Sequence, residues 1–176
     1  MRKRDFEIEK ISLGSFDSQL MDLAELLKVC VADGASVNFV LPFSLNDSRE
    51  FWTAKVRPGL TAGLRILLAA RTDGRMAGAV QLDCDTPPNQ PHRAEAAKLL
   101  VHPEYRRRGI GRALMIELER HAKKLGRLLI TLDTADDRAE ALYLSLGYER
   151  AGAIPAYAKN PIEDRYDTTT IMFKSI

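Results

Sequence analysis

Between Leu99 and Leu132 the sequence carries its tightest topological instruction. Leu99-Leu100-Val101 closes an apolar strand that begins at Ala94, and His102-Pro103 terminates it. The basic turn Glu104-Tyr105-Arg106-Arg107-Arg108 follows, and Gly109-Ile110-Gly111 opens a helix. Ile110, Ala113, Leu114, Leu118, Ala122 and Leu125 fall along one face of that helix, Lys123 and Lys124 sit in its last turn, and Gly126 stops it. Leu128 to Leu132 then reads as a second buried strand. Strand, turn, helix, strand in this order implies a parallel pair joined by a crossover.

The remainder supplies antiparallel strands and flanking helices. Leu64 to Ala70 and Met76 to Leu82 flank Thr72-Asp73-Gly74, a hairpin signal, and the break Thr86 to Pro91 separates them from the Ala94 strand. Ser18 to Asp33 spaces Leu20, Leu23, Leu27 and Val31 as a helix, with capping candidates in Ser15 to Ser18 and a stop at Gly34. A second helix starts near Asn46-Asp47-Ser48, carries Phe51 and Trp52, and is expected to end at Pro58-Gly59. A short helix over Asp137 to Leu146 and strands near Tyr148 and Thr169 to Phe173 complete an α/β reading. With 176 residues, no repeat and no linker, one domain over 1–176 is expected.

Composition removes several classes of function. Hydrophobic residues at 45% and charged residues at 28% suit a globular chain and not a disordered one. The longest apolar runs, such as Ile66 to Ala70, fall far short of a membrane span. The basic start Met1 to Phe6 lacks the apolar core of a secretory signal, so a cytoplasmic location is expected. Cys30 and Cys84 form no paired motif and read as buried thiols, and His92, His102 and His121 show no zinc-ligand spacing, so no metal is expected. A net charge of +2 argues against a broad nucleic-acid or membrane surface. That balance is uneven: Glu104 to Arg112 holds four arginines and one glutamate, a local +3.

Glycines at the start of a helix allow a ligand close to the backbone, and the free N–H groups of the first turn favour a phosphate. Arg106 to Gly111 therefore reads as a pyrophosphate cradle; the alternative is a turn shaped by Gly109 and Gly111 with solvated arginines. It is neither a GxxxxGK[ST] loop nor a dinucleotide fingerprint, because Leu114 occupies the third glycine position.

Arg106-Arg107-Arg108-Gly109-Ile110-Gly111 resembles the [RQ]-x-x-G-x-[GA] signature of the GNAT superfamily of acetyl-CoA-dependent N-acetyltransferases. Ala139-Glu140-Ala141-Leu142-Tyr143-Leu144-Ser145-Leu146-Gly147-Tyr148 is similar to that superfamily's A-x-x-L-Y-x-x-L-G-Y/F element, in the same order along the chain. Gly34 to Phe39, Arg93 to Leu99, Leu132-Asp133-Thr134 and Ile154 to Tyr157 further resemble tabtoxin-resistance-type acetyltransferases. Asp136 stands where such proteins often carry Asn, and Asp is also a competent helix cap.

The resemblance implies a mixed, mostly antiparallel α/β sheet with a splayed parallel strand pair and helices on both faces. It implies acetyl-CoA in the splay, its pantetheine along the backbone of Leu99, Leu100 and Val101, and its pyrophosphate at Arg106, Arg107, Arg108, Gly109, Ile110, Gly111 and Arg112. Asp136 and Ala139 are the remaining cofactor candidates. Transfer is direct, to the primary amine of a small molecule such as an amino acid derivative, a toxin or an antibiotic-like amine. A non-catalytic acyl-CoA sensor, or an acetyltransferase for protein N-termini or lysines, is the competing reading. Direct attack needs an uncharged amine, so a base must remove a proton and an acid must supply one to the leaving thiolate. Tyr143 is the acid candidate by motif. Asp133 and Glu95 are the base candidates, with Asp133 ahead because strand ends in open sheets face ligand crevices. Val37, Asn38, Phe39 and Tyr157 are acceptor-pocket candidates. The expected partners are acetyl-CoA and a small amine, with no nucleic acid and no membrane, the chain being a monomer or a homodimer.

Overall fold

The computed structural model describes residues 5–176, so Met1 to Arg4 of the basic start lie outside the described residues. In chain order the elements are β1 (Glu7–Ile11), α1 (Leu13–Ala32), α2 (Leu45–Phe51), a π-helical turn (Trp52–Val56), α3 (Arg57–Thr61), β2 (Arg65–Thr72), β3 (Arg75–Asp83) and β4 (Arg93–Val101). A 3₁₀ turn (Pro103–Tyr105), α4 (Ile110–Lys124), β5 (Leu129–Thr134), α5 (Asp137–Ser145), β6 (Glu149–Lys159) and β7 (Tyr166–Ser175) follow. The seven strands form one sheet in the order β1-β2-β3-β4-β5-β7-β6, in which only β4 and β5 run parallel.

Alternation divides the sheet's side chains between two cores. Under α4 lie Leu68, Val80, Leu82, Ala94, Ile130, Leu132 and Met172, with Ile110, Leu114 and Leu118 of the helix and Tyr143 of α5. Under α1 and α2 lie Leu67, Ala69, Ala79 and Leu100, packed by Phe16, Leu23, Leu27 and Trp52. Removal of these faces from water is the main favourable term holding helices to the sheet. Gly78 makes the close approach of α4 workable: a Cβ there would meet the Leu100 carbonyl oxygen at 2.8 Å and Ile110 Cγ2 at 3.0 Å.

Three local expectations change. The first helix begins at Leu13, because Ser12 and Ser15 form a reciprocal capping box ahead of the Ser15 to Ser18 candidates. The second helical run does not stop at Pro58-Gly59; Pro58 occupies the first turn of α3, where its missing N–H costs nothing, and the chain turns only after Thr61, at Gly63 with φ +70°. Strand β1 is added at the sheet edge, paired antiparallel with β2 from Glu7 opposite Arg71 to Ile11 opposite Leu67.

Two irregularities shape the centre. The parallel ladder holds only Arg93 to Glu95 against Leu129 to Thr131, after which β4 and β5 separate. Where β3 advances from Ala79 to Gln81, β4 advances from Leu100 to Ala97, so Lys98 and Leu99 face one residue in a β-bulge. Lys98 takes φ +52°, uncommon for a residue with a side chain.

Candidate active site

The loop after β4 forms a nest of unpaired donors. Gly109 adopts φ +83° as the N-cap of α4, a left-handed conformation that glycine holds without strain. Among the described residues, no backbone N–H from Arg107 through Arg112 donates to a protein acceptor; the helical ladder starts with Ala113 donating to the Gly109 carbonyl. Adjacent N–H groups at the positive end of the helix dipole favour an anion with several oxygens.

The arginines of this loop do different things. Arg107 and Arg108 are exposed, and Arg108 stacks over Tyr105 at 5.2 Å. Arg112 donates to Ser145 Oγ at 2.5 Å, tying α4 to α5. Arg106 is turned inward: it donates to the Val101 carbonyl at 3.3 Å and to Asp33 at 2.5 Å, at the end of α1. Ile110 and Gly111 are buried, so their side of the cradle is backbone.

Below the loop, separation of the strands opens a wedge. Past Glu95 the edge of β4 that faces β5 has no ladder partner, which includes the backbone of Leu99, Leu100 and Val101. The Leu100 side chain is itself in the core, 1% exposed, so only its main chain is available to a ligand. At the wedge lies a cavity of about 130 Å³ lined by Ala35 to Asn38, Glu95 to Leu99, Met115, Asp133, Thr134, Asp136, Ala139 and Tyr143.

Tyr143 comes to this cavity because Asp136 caps α5, its Oδ1 accepting from the N–H groups of Arg138 and Ala139 at 2.7 and 3.3 Å. Asp136 thus performs the capping role expected of it. Burial pushes the Tyr143 phenol above its ordinary value, and the negative charges of Asp133 and Asp136 push it the same way, so it stays protonated. Glu95, its side chain 49% exposed, is raised by partial desolvation first and by the neighbouring Asp133 charge second, against the pull of Arg93.

Glu95, Asp133 and Tyr143 are therefore brought to one place, with Val37 and Asn38 on the facing loop. Phe39 is adjacent but packs into an aromatic group, 4.6 Å from the Phe43 ring and 5.2 Å from the Phe51 ring. Tyr157 lies on β6, 54% exposed, and does not line this cavity. Both cysteines are buried and free, and burial pushes the Cys30 thiol up to about 12. Such a thiol is a poor nucleophile. Among the described residues, no group of three or more His, Cys, Asp or Glu side chains is arranged to hold a metal ion, and no helix is long and apolar enough to cross a membrane.

Among the charged residues lining the cavity, Lys98 is the one that was not a sequence candidate. Its signal is a charged residue whose place in the even alternation, Ala94, Ala96, Lys98, would bury it under α4. The bulge shifts that parity and sends it to the opposite face, where its ammonium stands 5.9 Å from the centre of the Phe51 ring.

Comparison with known proteins agrees with this geometry. The model of the Acetyltransferase (GNAT) family matches residues 36–148, which span the cavity loop, both strands of the wedge, the arginine loop and Tyr143. Among solved structures, a GCN5-related N-acetyltransferase from Kribbella flavida superposes with a TM-score of 0.78 at 20% identity, covering 98% of each chain. A ribosomal-protein-alanine N-acetyltransferase from Brucella melitensis gives 0.74 at 20% identity over 97% of this chain and 99% of that one. The Salmonella typhimurium protein yncA, solved with its cofactor acetyl-CoA, gives 0.77 at 17% identity over 97% and 94%. At these identities the superpositions establish a shared fold.

Proposed function

Because the chain belongs to the GNAT acetyltransferase family, we propose that it transfers the acetyl group of acetyl-CoA directly to the primary amine of a small molecule. The carrying observation is that Tyr143, Glu95 and Asp133 meet around one small cavity where β4 and β5 part, next to a nest of free N–H groups.

The residues fit the donor. The N–H groups of Arg107 to Arg112 and the exposed Arg107 and Arg108 suit a pyrophosphate, and the unpaired edge of Leu99 to Val101 suits the amides of a pantetheine chain. When bound, acetyl-CoA supplies an activated carbonyl, to which the amine nitrogen bonds as the carbon–sulfur bond breaks. Glu95 takes the proton that the acceptor ammonium must lose, because its raised affinity for protons makes it a better base near neutral pH than an ordinary carboxylate. Tyr143 gives a proton to the departing sulfur; burial raises both it and Glu95, and the Asp133 charge adds to the rise. No covalent enzyme intermediate is required, in keeping with two buried thiols.

Thiol release from acetyl-CoA across a panel of small amines, run beside acetyl-CoA binding by calorimetry, tests this reading. Turnover with a small amine supports it. Tight acetyl-CoA binding with no amine turning over replaces it with a sensor, and turnover only with peptide N-termini or lysines moves the acceptor to proteins.

A further inference from the structure

The cavity holds one charged group that proton transfer leaves without a task. Lys98 is half-buried and projects from the β4 bulge towards Phe51 of α2. It makes no ion pair or hydrogen bond with a described residue; Asp133 and Glu95 act on it only through space, and Arg65 opposes them. Burial weakens its hold on its proton, while the two carboxylates work to keep it charged. A cation withdrawn from water and lacking a fixed partner costs free energy that an incoming anion recovers.

The cavity thus carries both signs of charge, carboxylates at Glu95, Asp133 and the helix-capping Asp136 and an ammonium at Lys98. A plain alkylamine would meet the carboxylates with its own cation and leave Lys98 unmatched, repelled by the same sign of charge. An amine bearing a carboxylate satisfies both ends at once. Resting on the acetyl-transfer reading above, we propose that Lys98 is the specificity-determining residue of the acceptor site and selects zwitterionic, amino-acid-like acceptors, their carboxylate on Lys98 and their amine facing Glu95 and Asp133. The bulge is what creates the selectivity, since a regular β4 would place Lys98 under α4 instead.

The test uses matched acceptors that differ only at the carboxyl group, such as L-leucine, L-leucinamide and 3-methylbutylamine, together with the alanine and methionine sets. We expect the free acid to exceed its carboxamide more than tenfold in kcat/KM, mostly through KM, in at least one set. Lys98→Met brings that ratio to about one, and Lys98→Arg restores part of it. Equal kcat/KM for acid and carboxamide in every set, or a preference that survives in Lys98→Met, overturns the proposal. A second measurement needs neither turnover nor a variant: N-acetyl-L-leucine should bind the CoA-loaded wild-type protein more than tenfold tighter than N-acetyl-L-leucinamide, and equal affinities overturn the proposal. If no amine releases CoA while that binding preference stands, it is the acetyl-transfer reading that has failed and not the anion site.

Discussion

The Tyr143 phenol is raised by burial and by the charges of Asp133 and Asp136, so removing its oxygen changes little of the fold and all of its acid chemistry. Tyr143→Phe is expected to lower kcat by roughly 10²-fold or more, the usual worth of a positioned acid, with acetyl-CoA affinity within about threefold. Steady-state kinetics beside calorimetry measures both, and an unchanged kcat removes Tyr143 from the mechanism. The carboxylates separate by pH. Glu95 must be ionised to accept a proton, so kcat/KM falls as pH drops through its raised value. Asp133 is one cause of that rise, so Asp133→Asn is expected to move the acidic limb to lower pH while activity persists, whereas Glu95→Gln abolishes the limb. Loss of nearly all activity in Asp133→Asn would instead make Asp133 the base.

At the level of elements, legibility followed how local the determining forces were. The β2–β3 hairpin could be read from Asp73-Gly74 because two consecutive positive φ angles, 49° and 77°, are what those residues supply. Helix α4 was readable because its apolar stripe, basic last turn and Gly126 agree. Strand β1 escaped notice, since Glu7-Ile8-Glu9-Lys10-Ile11 carries three charges in five residues and is held by an edge ladder and the Arg71–Glu9 ion pair. The same limit hid the site's shape. Glu95, Asp133 and Tyr143 were nameable from position and motif, but the bulge that redirects Lys98 depends on β3 lying beside β4, which no local pattern encodes. Packing of α4 on that strand pair is equally non-local and rests on Gly78. Gly78→Ala is expected to cost about 1–3 kcal/mol, as overpacking does, because a backbone carbonyl at 2.8 Å cannot give way as a side chain can. Urea denaturation read by circular dichroism checks it, and an unchanged midpoint would show that α4 shifts freely.

Over the whole molecule, charge is gathered and not spread: the net +2 contains the +3 of residues 104–112, leaving −1 elsewhere. Binding of the proposed donor should therefore weaken with salt, and should stabilise the fold by about 2.7 kcal/mol at a concentration one hundred times Kd. Differential scanning fluorimetry should register a rise of roughly 5–10 °C for a chain of this size, and no rise at saturation would argue against a preformed site. The three-residue parallel ladder between β4 and β5 bears on mechanics as well as on binding. It divides one continuous sheet into a four-stranded panel, β1 to β4, and a three-stranded panel, β5, β7 and β6, joined along a short seam and bridged on one side by the core beneath α4. Such a seam is a natural boundary between cooperative units, so the panels can open separately. A donor lying in the wedge acts as a stitch across it. Hydrogen exchange should then slow in residues 96–101 and throughout β5 when acetyl-CoA binds, while the β2–β3 hairpin, which lies away from the wedge, exchanges as before.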